Sequence, residues 1–199
     1  MSKITTLFLA AVCLVSLTAA SLADEITDQI DKGKSLYSAQ KYSPAIQELN
    51  FAVGQIQNKL ADLYKTALPN ASAGWEADDA ESQSAGLAFM GGGISVKRHF
   101  YKNEGASVDV EVVSDSPLLS SVMMMYGNPM FLGGNKLVTV KGEKAVEEWN
   151  ESDKSGKLSL VIESRILVTI SGSSLASKDD LYTYANATDI AKLKAILKE

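Results

Sequence analysis

A single histidine, His99, is present in the chain, so imidazole acid–base chemistry has one place to reside. A Ser-His-Asp arrangement needs that ring held by a carboxylate on one side and facing a hydroxyl on the other. His99 and Asp109 fall on two alternating stretches, Ile94 to Lys102 and Ala106 to Val113, with Asn103-Glu104-Gly105 between them as a three-residue hairpin loop. That register sets His99 against Asp109 and Lys97 against Glu111 on one face, and Phe100 against Val108 and Val96 against Val112 on the core face. No Gly-x-Ser-x-Gly elbow accompanies the pair, and no serine can be named as nucleophile. Cross-strand pairing of opposite charges accounts for the two residues without catalysis. Arg98 is the misfit, because the same register sends it to the apolar face beside Val110.

Thioethers are the next chemically distinctive groups: Met123-Met124-Met125, with Met130 close behind. Such ligands suit Cu(I), and Met123, Met125 and Met130 with His99 make up the one metal set the sequence offers. Three consecutive helical residues point about 100° apart, however, so they do not converge on one ion while the backbone stays helical. Methionine also fills irregular core gaps and forms adaptable contact surfaces. Packing is therefore the expected role of the stretch, with a partner surface through Met123, Met124 and Phe131 as the functional reading.

Carboxylates are densest at Glu147, Glu148, Glu151 and Asp153. Glu151-x-Asp153-x-Ser155-Gly156 imitates the start of a calcium loop, but its twelfth position is Ile162, where a bidentate glutamate belongs. A solvated turn between strands is the better account. Gly91-Gly92-Gly93 lacks the Gly-Lys-Ser/Thr of a phosphate loop, and nothing specifies a nucleotide. No cofactor is expected.

The segment at the start of the chain bears on where any of this would operate. Lys3 followed by the uncharged run Ile4 to Leu17 and by Ser21-Leu22-Ala23 reads as a signal peptide of residues 1–23, with Asp24 the first residue after cleavage. The alternative is an uncleaved anchor, since Ile4 to Ala23 carries no charge over about the length that spans a bilayer. Cys13, the only cysteine, lies inside this segment, so disulfides and thiolate chemistry are not expected beyond it. An exported, cysteine-free domain suits a bacterial periplasm. Loss of Lys3 with the leader takes the net charge from −5 to −6, and no dense Lys/Arg stripe follows, so nucleic acid is a poor partner. No membrane span is expected once the leader is removed.

From Ile26 to about Leu68 apolar residues recur at helical spacing, broken at Tyr42-Ser43-Pro44. Helices over 26–40 and 44–67 follow, with Ser43 as cap and Pro44 in the first turn. Gly33, Leu36, Tyr42, Ala45, Leu49 and Ala52 stand at the small and large packing positions of a tetratricopeptide-type helical hairpin, which this segment resembles. The resemblance implies close helix approach at Gly33 and Ala45, with Leu36, Tyr42 and Leu49 filling the seam. No second copy follows, Gln57 stands where a closing proline is usual, and a concave groove needs about three repeats.

Residues 69–93 read as a polar connector with Gly74-Trp75 and the acidic Asp78, Asp79 and Glu81. After the hairpin at 94–113, Pro117 to Tyr126 reads as a short helix ended by Gly127-Asn128-Pro129. Strands at Leu137–Lys141 and Lys144–Trp149 follow about a Gly142-Glu143 turn. The next pair is joined by Glu163-Ser164-Arg165, bringing Leu158, Leu160 and Ile162 against Ile170, Val168 and Ile166. Ser177, with Asp180 three residues on, and then Thr188 are expected to cap the closing helices. The expected fold is α+β: a helical hairpin over 24–68, then over 94–199 a roughly six-stranded antiparallel sheet with an inserted helix and a C-terminal helix packed on it. The layout also resembles exported bacterial proteins distantly similar to PsbP-type domains.

The functional expectation is a non-catalytic periplasmic binding or adaptor protein that contacts another exported or envelope protein. Tyr42, Leu49, Met123, Met124 and Phe131 are the candidate contact residues. Copper handling through the Met-rich segment 123–130 is the alternative, and a hydrolase using His99 with Asp109 ranks below it.

Overall fold

The computed structural model describes residues 25–83, 93–103, 105–115 and 118–198. The expected leader, Gly91-Gly92, Glu104 and Ser116-Pro117 lie outside the described residues. The chain divides between Leu49 and Asn50 into two compact units.

The first unit holds helix α1 (Glu25–Ser38) and the start of helix α2 (Tyr42–Lys65). Gln40 takes a left-handed φ of 58° in the turn between them, and the Lys41 amide donates to Leu36 O at 2.9 Å, closing α1. α2 begins at Tyr42, two residues earlier than the proline suggests, because the Ala45 amide already reaches Lys41 O at 3.1 Å. Pro44 lacks an amide proton, but in a first turn that proton would have no helical acceptor. Gly33 carries the close approach: a Cβ there would stand 2.7 Å from Leu49 Cγ. Ala45 is buried beside it, as the sequence suggests, and Lys32 pairs with Glu48.

Among the described residues of the second unit, eight strands form one antiparallel sheet: β1 (Glu76–Ala77), β2 (Glu81–Gln83), β3 (Ile94–Tyr101), β4 (Ser107–Ser114), β5 (Lys136–Val140), β6 (Glu143–Asn150), β7 (Ser155–Ile162) and β8 (Ile166–Ser173). The spatial order is β1-β3-β4-β8-β7-β6-β5, with β2 also on β3. The six strands expected from alternation are all present, and the β3–β4 and β7–β8 registers match residue for residue. β1 and β2 are additions inside the 69–93 stretch. They are only two and three residues long, with Ala77 their one apolar residue, so no alternation marks them, and the edge of β3 organises them through Glu76↔Tyr101 and Glu81↔Lys97.

Arg98 explains how that segment is held. Its backbone position is on the core face, but its guanidinium donates to Asp78 O at 2.9 Å and to Pro69 O at 3.1 Å. The charge thus satisfies carbonyls of the incoming chain rather than lying unpaired in the core.

Helices α4 (Asp179–Ala187) and α5 (Ile190–Ile196) cover the core face. Leu181, Tyr184, Ala185, Ile190 and Leu193 pack with Phe100, Val108, Val110, Leu158, Leu160, Val168 and Ile170 in one cluster. Ala61, Tyr64, Ala67 and Leu68 join it, which is why the second half of α2 belongs to this unit rather than to a separate hairpin ending at residue 68. The expected caps shift. Ser177 Oγ accepts from the Asp179 amide at 3.1 Å, yet Lys178 occupies the cap position and Asp180 turns toward Lys102 instead. Thr188 closes α4, its amide and hydroxyl both donating to Tyr184 O, and Asp189 caps α5 through the Lys192 amide.

Among the described residues, no helix is long and apolar enough to cross a membrane.

Candidate functional site

Away from α4 and α5, the opposite face of the sheet is polar at its β3 end and apolar where β7 and β8 meet helix α3 (Leu118–Gly127). His99 Nδ1 lies 2.8 Å from Asp109 Oδ1, as the strand register requires. Lys97 does not pair with Glu111 opposite it: its Nζ reaches Asp109 Oδ2 at 3.1 Å, and Glu111 accepts from Ser95 Oγ at 2.7 Å. The His99 and Tyr101 rings stack at 5.8 Å. A depression of about 410 Å³ is lined by Asp78, Asp79, Glu81, Lys97, His99 and Asp109.

The order of that row decides what it can do. Asp109 pairs with His99 on one side and with Ser171 on the other, so the carboxylate stands between the imidazole and the nearest hydroxyl of the row. A triad needs the imidazole in the middle. This row instead gives a carboxylate shared by an ammonium and an imidazole on a solvated strand pair.

α3 is docked by Leu119, Val122 and Tyr126, which pack on Val161 and Leu167. These stand at i, i+3 and i+7, one helical stripe. The Tyr126 hydroxyl lies 2.7 Å from Lys144 O and 3.1 Å from Ser159 O, and it accepts from the Val161 amide at 3.0 Å. Burial pushes that phenol up to about 12, against the Val161 hydrogen bond that favours its ionised form and with the Glu143 charge adding to the rise. With that stripe on the sheet, Met123 and Met124 point outward, 42% and 57% exposed, while Met125 is half-buried. The expectation that this stretch packs is therefore corrected at Met123 and Met124, while Met125 stays half-buried; the side chains that dock α3 are Leu119, Val122 and Tyr126.

A 3₁₀ turn (Pro129–Leu132) follows, capped by Asn128 Oδ1 on the Met130 amide at 3.0 Å, and Gly133 ends it in the left-handed region at φ 58°. Phe131 belongs to this turn, and Met130 is 85% exposed. Leu167 and Val161 lie on a register row that runs through Val113 to Ser95, four residues from His99 along β3. That is about 13 Å of strand. His99 and the methionines are thus not gathered into one set. Among the described residues, no group of three or more His, Cys, Asp or Glu side chains could hold a metal ion.

The carboxylate group at 147–153 separates into two kinds. Asn150 Oδ1 accepts from the Ser152 and Asp153 amides, and Glu151 takes the Trp149 indole at 2.7 Å and pairs with Lys154, a solvated turn. Glu147 is different: it faces the core side at 3% exposure. Its Oε2 accepts from the Tyr182 hydroxyl at 2.5 Å, and Lys178 Nζ lies 3.2 Å from both oxygens. Burial works to raise this carboxyl, but the bonds from Tyr182 and Lys178 and the nearby Lys178 and Lys136 charges hold it below its ordinary value. Alternation on β6 places Glu147 on the same face as Ala145, a signal available in the sequence but masked by the acidic neighbours.

Of the helical contact candidates, Tyr42 is 56% exposed and meets Tyr37 edge-on at 5.7 Å, so it does not fill the seam as the repeat resemblance implies. Leu49 lies against Gly33 and remains partly exposed. Ile30, Ile46, Phe51, Val53, Ile56 and Leu63 are further exposed large apolar residues, which no sequence motif singles out.

No family model, curated protein or solved structure matches this chain.

Proposed function

We propose that this is a non-catalytic binding or adaptor protein, acting outside the cytoplasm through contacts with another exported or envelope protein. The observation that carries the reading is the outward presentation of large apolar side chains from anchored elements. Met123, Met124 and Met130 stand clear of a helix and turn fixed by Tyr126 and Asn128. In the first unit, Tyr42 and Ile46 are exposed on α2. Clustered exposed apolar residues are the usual mark of a contact surface, and methionine suits one that adapts to its partner. The export element rests on the leader composition and on the single cysteine falling within it.

Crosslinking of the native chain in its envelope tests the proposal, with Tyr42→Ala and Met124→Ala compared against wild type. Loss of a discrete crosslinked partner in either variant is expected; the same partner recovered equally from all three chains would oppose the reading.

A further inference from the structure

A groove of about 350 Å³ lies wholly within the second unit, between the later part of α2, the end of α5 and the loops that carry Asp115 and Arg165. Its walls are aliphatic: Ile56, Leu60 and Leu63 from α2, Ile196 and Leu197 from the end of α5. Leu60 and Ile196 pack with the core cluster, so the groove keeps its shape without a ligand. Ile56 and Leu63 remain 46% and 41% exposed, which leaves apolar area that the described fold does not cover.

Three charged residues share the lining, Lys59, Arg165 and Asp115, with one positive charge in excess. Arg165 is fixed in place. Its Nε and Nη2 donate to the two Asp115 oxygens at 3.0 and 3.1 Å, and the Asp115 amide donates to Arg165 O at 2.7 Å. Those side-chain bonds use only part of a guanidinium's donor set.

We infer that this groove binds a medium-chain fatty acid, its alkyl chain on the aliphatic walls and its carboxylate on Arg165. The walls argue against a peptide. Every peptide unit brings an amide and a carbonyl that need partners, and the α2 backbone along the groove spends its own inside the helix. An alkyl chain brings neither. The excess positive charge selects the head group, because a carboxylate suits a planar guanidinium whereas an ammonium would meet two cations and one anion. The volume lies at the small end of the range for small-molecule sites, which fits one chain better than a diacyl lipid. None of these residues belongs to the α3 surface, so the adaptor reading neither supports this site nor falls with it.

Isothermal titration of the purified chain with octanoate, decanoate, decanol and decyltrimethylammonium tests the site. Decanoate should bind saturably with a Kd below about 1 mM. Octanoate should bind about tenfold more weakly, as the shorter buried chain requires. Decanol and decyltrimethylammonium should each bind about fivefold more weakly than decanoate. Arg165→Gln should reduce decanoate affinity about tenfold, to the level of decanol. Asp115→Asn keeps the cation and removes the anion beside it, so decanoate should bind about threefold more tightly and decanol should not. Leu63→Gln should weaken both ligands, and Lys157→Gln, whose ammonium pairs with Glu148 on the sheet, should change neither. Far-UV circular dichroism checks that each variant is folded. The inference is overturned by absence of saturable decanoate binding, by equal affinity for decanoate and decyltrimethylammonium, or by decanoate affinity that is unchanged in both Arg165→Gln and Asp115→Asn. An acetylated leucine tripeptide with a free carboxylate, bound more tightly than decanoate, would equally overturn the alkyl occupant.

Discussion

The Tyr126 hydroxyl accepts the Val161 amide proton at 3.0 Å just past Ala145↔Leu160, where the β6–β7 register ends. One side chain thus continues the ladder where the strands part, and in doing so fixes α3 and the outward aim of its methionines. Tyr126→Phe leaves the Val161 amide and the two carbonyls without this partner, and about 1–3 kcal/mol of stability should be lost. The phenol is raised in the fold, so its contribution is complete below the ordinary tyrosine value near 10 and falls as pH rises toward about 12. Denaturant unfolding of both chains should show their difference narrowing across that window.

Glu147 gives the opposite sign. Its folded value lies below the ordinary one, so its stabilisation is present above the unfolded carboxylate value and is lost as pH falls through the folded value. Glu147→Gln should lower the melting temperature at neutral pH, and the gap from wild type should shrink below about pH 4. A gap constant from pH 7 to pH 3 would count against the ionised Tyr182–Glu147–Lys178 arrangement.

Gly156 and Gly172 oppose each other on β7 and β8 beneath Leu181 of α4. A Cβ on Gly156 would stand 2.6 Å from Glu148 O, a backbone atom that cannot turn aside. Gly156→Ala should cost about 1–3 kcal/mol by overpacking. Gly54, within α2 and with open space where a Cβ would stand, is the internal contrast: Gly54→Ala should stabilise by about 0.5–1 kcal/mol. Thermal melts of the two variants should move in opposite directions.

Arg98→Met keeps much of the side-chain volume but removes the donors to Asp78 O and Pro69 O. β1 and β2 then depend on the β3 edge alone. Cleavage by a glutamate-specific protease at Glu76 and Glu81 should accelerate severalfold over wild type, while cleavage at the buried Glu147 should not.

The strands were legible where one face is buried and the other wet. Val96, Phe100, Val108 and Val112 against His99, Lys97 and Asp109 leave only one register open, and the structure adopts it. Segments whose form is imposed from outside were not legible. β1 and β2 take shape on the β3 edge, and the exact caps at Lys178 and Asp189 reflect how α4 and α5 seat on the sheet. The site was legible in part. His99 and Asp109 were paired correctly, but the exchange of Lys97 from Glu111 to Asp109 depends on side-chain reach along the strand, which pattern does not encode. The packing expected of the Met123–Met125 stretch does not hold at Met123 and Met124, because composition says nothing of which stripe of α3 meets the sheet; Leu119, Val122 and Tyr126 decide it.

A photo-crosslinking residue placed at position 124 in the native envelope interrogates the contact surface itself, with position 152, in the exposed 150–153 turn, as control. A discrete adduct is expected at 124 and absent at 152, and excess unlabelled wild-type chain should compete it away where a Met123→Glu, Met124→Glu chain does not. No adduct at 124, or one of equal yield at both positions, would contradict a contact surface built on the outward methionines of α3.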